Sequence, residues 1–387
     1  MLKRIINYIK KIIKVCFYYF CCLLPIQKKR IIADNFNGSC FGDNTGAIVK
    51  KLLEKDETLE VYWTYDLEKN PGIRLPKGIR GVQFGSVKHY YILATSKIWI
   101  FNVRNPLKIR KRKRQFYIQT WHAGFGFKRV EADAAEALPK WYIKMAKNDS
   151  KNIDLIITNS DWEIEYFKKV FYYKGNYIKT GLPRCDELFY SKDFSSIRQE
   201  IHKKFSIPMT TKILLYAPTF RDDGNTSCYD IDYEGLLSTL KKKTNESWVI
   251  LMRLHPNIAN MEIFNSKNKN VINVSKYESL NKLMIASDFL ISDYSSLMFE
   301  FGYLSKPIIV YASDIEKYKN ERGLLWNFKD LPFPFSKTND ELKKCIMSFT
   351  EVKYIEKLKK FYKKNGLLDD GHASERVAKI IMNKINE

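Results

Sequence analysis

From Arg30 onward the chain alternates short β-prone apolar runs with amphipathic stretches, and this alternation restricts the fold more than any other feature. "RIIADNF", "LEVYWTYD", "SKIWIFN" and "QFYIQTW" read as strands. "TGAIVKKLLEK" and "DWEIEYFKKVF" read as helices, the second opened by Ser160 or Asp161 as its cap. Strand–helix alternation implies a parallel sheet wrapped by helices. After a Pro-containing polar stretch at 205–212 the pattern restarts, with "KILLYAPTF", "SWVILMRLHP", "DFLISDYSS" and "KPIIVYA" as strands. The expectation is an α/β protein with two Rossmann-like doubly wound domains, 30–205 and 206–387. The amphipathic last helix is a candidate to pack back on the first of them. Such domains bind ligands beyond the carboxyl ends of their strands, and a cleft between two of them suits a nucleotide-type ligand.

The charge narrows the partners. Lys and Arg number 66 against 43 Asp and Glu, a net +23, which calls for an acidic partner: nucleic acid, anionic lipid or a polyanionic substrate. Residues 1–29 stand apart, basic and aromatic with no acid. Their least interrupted apolar part, 15–26, is too short for a membrane span, and no small-residue cleavage site follows it. They read as a helix lying in an anionic membrane surface, or as an ordinary amphipathic helix docked on its own domain. "KIRKRKR" at 108–114 has six bases in seven residues, yet no nucleic-acid-binding signature accompanies it. A solvated face that also meets anionic lipid or polymer fits it better than nucleic acid. The seven cysteines lack metal spacing and disulfide-framework spacing, so reduced thiols and a cytosolic site are expected.

Four strand exits carry ligand-like groups. His122 follows "YIQTW", Arg221 follows "LLYAPTF", Arg253 and His255 follow "VILM", and Asp293, Tyr294, Ser295 and Ser296 follow "FLIS". Each has a bland alternative: a capped turn, a satisfied structural His, a Ser that only caps a helix. Their recurrence where an α/β protein binds ligands favours a site. The opening of a helix at Ser295 or Ser296 suits a phosphate, and His122 and His255 suit proton transfer. His89 reads as a structural histidine, and His202 as a solvated one in a charged helix. The Asp-x-Asp at Asp230 and Asp232 sits in a polar loop and reads as a decoy for metal. Without metal, pyrophosphate charge falls to Lys, Arg, His and a helix start.

Together "FNGSCFGDN", "QTWHAGFGFKRV", "DLIITNSDWE", "KTGLPRCDELF", "LLYAPTFRDD", "LMRLHP", "ISDYSSLMFEFG", "KPIIVYASDIEKYKNERGLLWNF" and "DGHASERVAKII" resemble the CDP-glycerol glycerophosphotransferase family, over about 30–385. The resemblance implies a two-domain GT-B-type fold held peripherally at the cytoplasmic face of the cell membrane. It implies transfer of glycerol phosphate from CDP-glycerol to a lipid-linked saccharide or polyol-phosphate acceptor of teichoic acid synthesis, releasing CMP, without cofactor. It gives His122 and His255 as the functional histidines. Ser295, Ser296, Asp314, Tyr318, Arg322 and Gly323 match its phosphate-binding and Asp–Tyr–Arg–Gly motifs, with Arg221 or Arg253 beside them. On this reading His122 is the general base, Gly124 lets the backbone approach the ligand, and Lys128 meets a phosphate. "WHAGFGFK" is bulkier than the family's usual stretch. A CDP-ribitol ribitolphosphotransferase, a GT-B glycosyltransferase using a nucleotide sugar, and a non-catalytic membrane or nucleic-acid binding protein are the alternatives.

Overall fold

The computed structural model describes residues 2–221, 229, 231–254 and 268–387. The chain divides into two compact units: unit 1 is Met1–Gly124, Val130–Asp186 and Leu367–Glu387, and unit 2 is Phe125–Arg129 and Glu187–Gly366. The division after Asp186 lies before the polar stretch at 205–212 where the sequence placed a linker.

Unit 1 contains α1 (Leu2–Cys21), β1 (Gln27–Asp34), α2 (Asp43–Lys55), β2 (Glu60–Tyr65), β3 (Ile79–Gln83), α3 (Val87–Thr95), β4 (Ser96–Phe101), β5 (Phe116–Gln119), α4 (Lys140–Ser150), β6 (Leu155–Thr158), α5 (Asp161–Val170) and β7 (Asn176–Lys179). Its strands form one parallel sheet in the order β3-β2-β1-β4-β5-β6-β7, which reverses direction between β1 and β4. The runs Ile98–Phe101 and Leu155–Thr158 are buried throughout, as expected for parallel strands covered on both faces.

Unit 2 contains α6 (Phe194–Lys204), β8 (Lys212–Ala217), α7 (Tyr233–Thr244), β9 (Trp248–Met252), β10 (Val271–Asn273), α8 (Leu280–Ala286), β11 (Phe289–Ser292), α9 (Leu297–Gly302), β12 (Ile308–Tyr311), α10 (Ile315–Arg322), β13 (Phe335–Ser336), α11 (Asn339–Ser348) and α12 (Glu351–Asn365). Its parallel sheet runs β10-β9-β8-β11-β12-β13, reversing between β8 and β11. The last helix, α13 (Ala373–Asn386), belongs to unit 1, where Val377, Ala378, Ile381 and Ile385 join the core of Ile31, Ala33, Ile98 and Ile100. Asp186 anchors it by accepting the backbone N–H groups of Ala373 (2.9 Å) and Ser374 (2.8 Å).

Two basic segments prove partly structural. Helix α1 packs on α3 and buries Tyr18 and Cys21, and the Tyr18 hydroxyl donates to the Arg110 carbonyl at 2.8 Å. Its other face exposes Ile5, Ile9, Ile12, Ile13 and Phe20. In the loop 108–114, Arg110 donates to the Asn148 carbonyl (2.8 Å), Lys111 pairs with Asp154 (3.0 Å) and Arg112 donates to the Leu24 carbonyl (2.7 Å). Lys108, Lys113 and Arg114 remain exposed. The loop is therefore a brace joining the end of α1 to α4, and only half of it is a charged face.

Candidate functional site

In unit 1 the polar groups gather past β1, β4 and β5, where the sheet order reverses and where doubly wound sheets hold ligands. His122 is half-buried, with its ring against Phe36 (centroids 5.4 Å apart) and Trp121 (4.4 Å). Its Nδ1 lies 3.2 Å from the Asn102 carbonyl oxygen. A carbonyl only accepts, so Nδ1 carries the proton and a neutral ring keeps its lone pair on Nε2. The backbone that presents the ring is strained, since Trp121 has φ 52°, uncommon for a bulky residue. Trp121 is held there from several sides. Its N–H donates to the Gln119 side chain (3.0 Å), its carbonyl accepts from Asn44 (3.3 Å), and its ring packs on Phe171 (5.0 Å). Arg184 donates to the His122 carbonyl and to Asp43, both at 2.9 Å. Asn102 in turn accepts from the Phe36 N–H at 2.9 Å.

The buried Asp34, at the end of β1, accepts from Gly38 N–H at 3.2 Å, and desolvation pushes its carboxyl up to about 7. Asn35, Asn44, Asn102 and Arg184 escaped the sequence reading. Asn35 and Asn102 stand at the ends of runs read as strands, and Asn44 and Arg184 lie inside segments already singled out as motifs.

A side chain at Gly124 would meet Leu182 at 2.5 Å and Asn159 at 3.2 Å, so packing inside unit 1 already requires a glycine there. The bulky residues after it have a clear place. Phe125 and Phe127 are buried in unit 2, Phe125 stacked on Trp326 (4.8 Å) and Phe127 on Phe299 (5.2 Å). Trp326 Nε1 donates to the Gly126 carbonyl and Leu325 N to the Phe127 carbonyl, both at 2.9 Å, beside a Lys128–Leu324 bridge. The short run Phe125–Arg129 is thus stitched into unit 2 by aromatic stacking and backbone pairing.

In unit 2 the corresponding cluster lies past β8, β11 and β12. Arg221 is 5% exposed and meets two carboxylates: Nε to Asp314 at 2.6 Å, Nη2 to Asp314 at 3.0 Å and to Asp293 at 2.9 Å. Its guanidinium also lies over the rings of Tyr294 (4.8 Å) and Tyr318 (5.0 Å), which stack on each other at 3.7 Å. Arg221 therefore neutralises carboxylates instead of reaching out to a phosphate, which corrects its expected role. Desolvation pushes Asp314 up, but Arg221 and the Tyr294 hydroxyl (2.9 Å) outweigh it and hold the carboxyl below its ordinary value. Burial raises the Tyr318 phenol, whose buried hydroxyl has no partner among the described residues, and Lys128 Nζ sits 5.7 Å above its ring. The Thr219 hydroxyl, past β8, is likewise buried and unpartnered among the described residues.

Arg253, directly past β9, differs from Arg221. It is half-buried and donates to the Tyr277 carbonyl, and among the described residues no carboxylate balances it. Burial pushes its pKa down. Ser295 accepts from Leu297 N–H at 3.2 Å, while Ser296, at the N-cap of α9, makes no capping bond with its side chain. Gly323 ends α10 at φ 64°, a left-handed stop that suits glycine, and the Arg129 stem packs over it. Arg322 lies in the last turn of α10. His255 and Asp230 fall outside the described residues. Asp232 caps α7 by accepting from Gly235 N–H (2.9 Å) and pairs with Lys343 (2.6 Å). His202 corrects another expectation: it is 1% exposed, with Nδ1 donating to the Pro208 carbonyl at 3.0 Å. His89 is the structural histidine expected: it is buried, accepts from Gly85 N–H at 3.0 Å, and desolvation takes it down to about 3.

Two doubly wound parallel units, each with polar groups past the strands flanking its reversal point, define an α/β protein of the phosphate- and nucleotide-handling kind. Residues 16–383 match the family model described as CDP-Glycerol:Poly(glycerophosphate) glycerophosphotransferase, and the chain belongs to that family. It is 29% identical, over 98% of its length, to a teichoic acid poly(glycerol phosphate) polymerase of Bacillus subtilis, and spans 53% of that longer protein. It is 30% identical to a teichoic acid glycerol-phosphate transferase of Staphylococcus aureus, covering 97% of this chain and 99% of the relative. Solved structures of the wall teichoic acid polymerase TagF share the fold. A variant soaked with CDPG superposes with TM-score 0.84 at 27% identity, covering 100% of this chain and 98% of that one.

Proposed function

We propose that the protein transfers glycerol phosphate from CDP-glycerol to a hydroxyl of a membrane-linked acceptor in teichoic acid synthesis. The observation that carries this reading is the end-to-end match to the Staphylococcus aureus glycerol-phosphate transferase, whose length the chain nearly equals. The acceptor oxygen attacks the β-phosphorus of CDP-glycerol, the bridging P–O bond breaks, CMP departs, and the hydroxyl proton passes to His122 Nε2. The Nδ1 contact to the Asn102 carbonyl supports this role, because it fixes the tautomer with the basic nitrogen free of the proton. Arg253, Ser295, Ser296 and Lys128 meet phosphate charge, and His255 acts with them on the charged phosphoryl group and the departing CMP. The half-buried Arg253, directly past β9 and paired with no carboxylate among the described residues, supports a donor site in unit 2. Arg221 positions Asp314 and the Tyr294–Tyr318 pair, and Arg322 and Gly323 end the helix that follows. The two units work as a GT-B-type pair, and no metal or cofactor takes part.

The protein sits peripherally on the cytoplasmic face of the cell membrane. Among the described residues no helix is long and apolar enough to cross a bilayer. The outward Ile9, Ile12, Ile13 and Phe20 of α1, flanked by Lys10 and Lys11, suit an anionic lipid surface.

The test offers CDP-glycerol, CDP-ribitol and UDP-sugars with a lipid-linked acceptor, in EDTA, and follows nucleotide release. CDP-glycerol should release CMP, and His122→Ala should slow it by roughly 10²–10⁴-fold with donor affinity kept. Preference for CDP-ribitol would move the assignment to ribitol phosphate. Loss of activity in EDTA, restored by Mg²⁺, would restore Asp230 and Asp232 as metal ligands.

A further inference from the structure

Gln119, the last residue of β5, is 0% exposed, so it meets neither solvent nor ligand, and the reaction above makes no use of it. The backbone pairing of β4 with β5 reaches Thr120, whose N–H donates to the Phe101 carbonyl at 2.8 Å. Beyond that rung the Gln119 side chain takes over. Its Nε2 donates to the Val103 carbonyl at 3.0 Å and to the Tyr117 hydroxyl at 3.1 Å. Its Oε1 accepts from the Trp121 N–H at 3.0 Å. The Val103 carbonyl can only accept and the Trp121 N–H can only donate, so the amide has one possible orientation.

The two segments it joins are those that meet at the histidine. Trp121 precedes His122, and Val103 follows Asn102, whose carbonyl lies 3.2 Å from His122 Nδ1. The Asn102 side chain is engaged elsewhere, accepting from the Phe36 N–H and donating to Asn35, so it does not brace its own carbonyl. Trp121 keeps φ 52°, a conformation that persists in a bulky residue only where the surroundings impose it. Asn44 holds its carbonyl and Phe171 its ring, and Gln119 holds its N–H. One buried amide thus fixes both the strained turn and the strand exit that faces it.

We propose that Gln119 is a positioning residue for the transfer. By tying Trp121 to Val103 it keeps the Asn102 carbonyl on His122 Nδ1, and so keeps the lone pair of His122 Nε2 available to the acceptor hydroxyl. Without it the strained turn relaxes and Nδ1 leaves the carbonyl. The neutral ring then divides between two tautomers, and the one with the proton on Nε2 cannot take a proton there. The proton transfer rests on the function proposed above, whereas the clamp and the tautomer do not. Because Gln119 acts through His122, its loss changes nothing once the imidazole is gone.

Q119L removes all three hydrogen bonds at similar size. The first measurement needs no substrate: NMR of the full chain carrying 15N-histidine, with the His122 signals identified by their loss in H122A. Wild-type protein should show His122 protonated on Nδ1 alone, and Q119L should show both tautomers. The second is CMP release from CDP-glycerol with a lipid-linked acceptor. Q119L should lower kcat by roughly 10²-fold, as for a misplaced catalytic group, with the acceptor KM and the CDP-glycerol affinity unchanged. Added to H122A, the same substitution should cause no further loss. An equal fold-loss with and without His122 would make Gln119 a general support of unit 1 and overturn the proposal. A wild-type tautomer in Q119L overturns it as well. Should Q119L fail to fold by circular dichroism, Q119M, which fills the space more flexibly, is held to the same two criteria. If wild-type protein releases no CMP from CDP-glycerol, the proposed reaction alone is refuted, and the tautomer measurement still decides whether Gln119 sets the ring.

Discussion

Replacing Arg221 by Met tests the view that this arginine organises unit 2 rather than binding donor phosphate. The side chain is 5% exposed and makes three contacts to Asp314 and Asp293 at 2.6, 3.0 and 2.9 Å. Met fills similar volume but leaves two carboxylates, one fully buried, without a counter-charge. Removing one partner of a buried pair costs about 3–5 kcal/mol. The cost depends on pH with a definite sign. In the wild type Asp314 is held below its unfolded value, so its contribution is present above the unfolded pKa and lost as pH falls through the depressed folded value. In the variant desolvation is opposed only by the Tyr294 hydroxyl and a backbone hydrogen bond, and the carboxyl pKa is expected to rise above the unfolded value. Stability is then highest at low pH and declines as pH rises. The gap between the two proteins should therefore be largest near pH 8 and shrink toward pH 5. Urea unfolding followed by circular dichroism at both pH values measures it, and R221M/D314N should recover part of the loss. A loss below about 1 kcal/mol at pH 8, or one that is equal at both pH values, would refute the reasoning. So would unchanged stability accompanied by lost CDP-glycerol affinity, which would return Arg221 to the phosphate.

Further outcomes follow from single side chains. Asp34, pushed up to about 7, contributes stability that is complete below its unfolded pKa and lost as pH rises through about 7, so Asp34→Asn should flatten the fall in melting temperature between pH 5 and 8. Ser296→Ala should weaken CDP-glycerol affinity by on the order of ten- to a hundredfold with little change in melting temperature, since its side chain caps nothing. Ser295→Ala should also lower stability by about 0.5–1 kcal/mol through its lost contact to Leu297 N–H. Replacing Ile13 and Phe20 by Asp on the outward face of α1 should abolish sedimentation with anionic vesicles without shifting the melting temperature, because neither side chain enters the core.

Both sheets were legible because parallel strands buried on two faces leave continuous apolar runs, and Ile98–Phe101 and Trp248–Met252 are such runs. The strand-exit position of His122 was legible for the same reason: the run before it stops abruptly at a polar group. Partners were not legible. Arg221 and Arg253 look alike in sequence, yet among the described residues one meets two carboxylates and the other none, and the carboxylates at Arg221 lie 72 and 93 positions away. His202 lies among charges in sequence, but its helix turns that face inward against the turn at Ile207 and Pro208. Phe125 and Phe127 read as an unexplained bulk after the histidine. Their burial depends on aromatic residues near 299 and 326, which no local pattern predicts.

The return of α13 to unit 1 has a consequence for biosynthesis. Ile31 and Ile381 share one core although ~350 residues separate them. While the chain emerges from the ribosome, α2 can cover only part of this face of the unit 1 sheet, and the place of α13 beside it stays open. Unit 2, whose residues are nearly contiguous, has no such wait and can close first. The order of maturation thus runs against the order of synthesis. A nascent chain stalled between Gly366 and Ala373 is the species on which a chaperone would act.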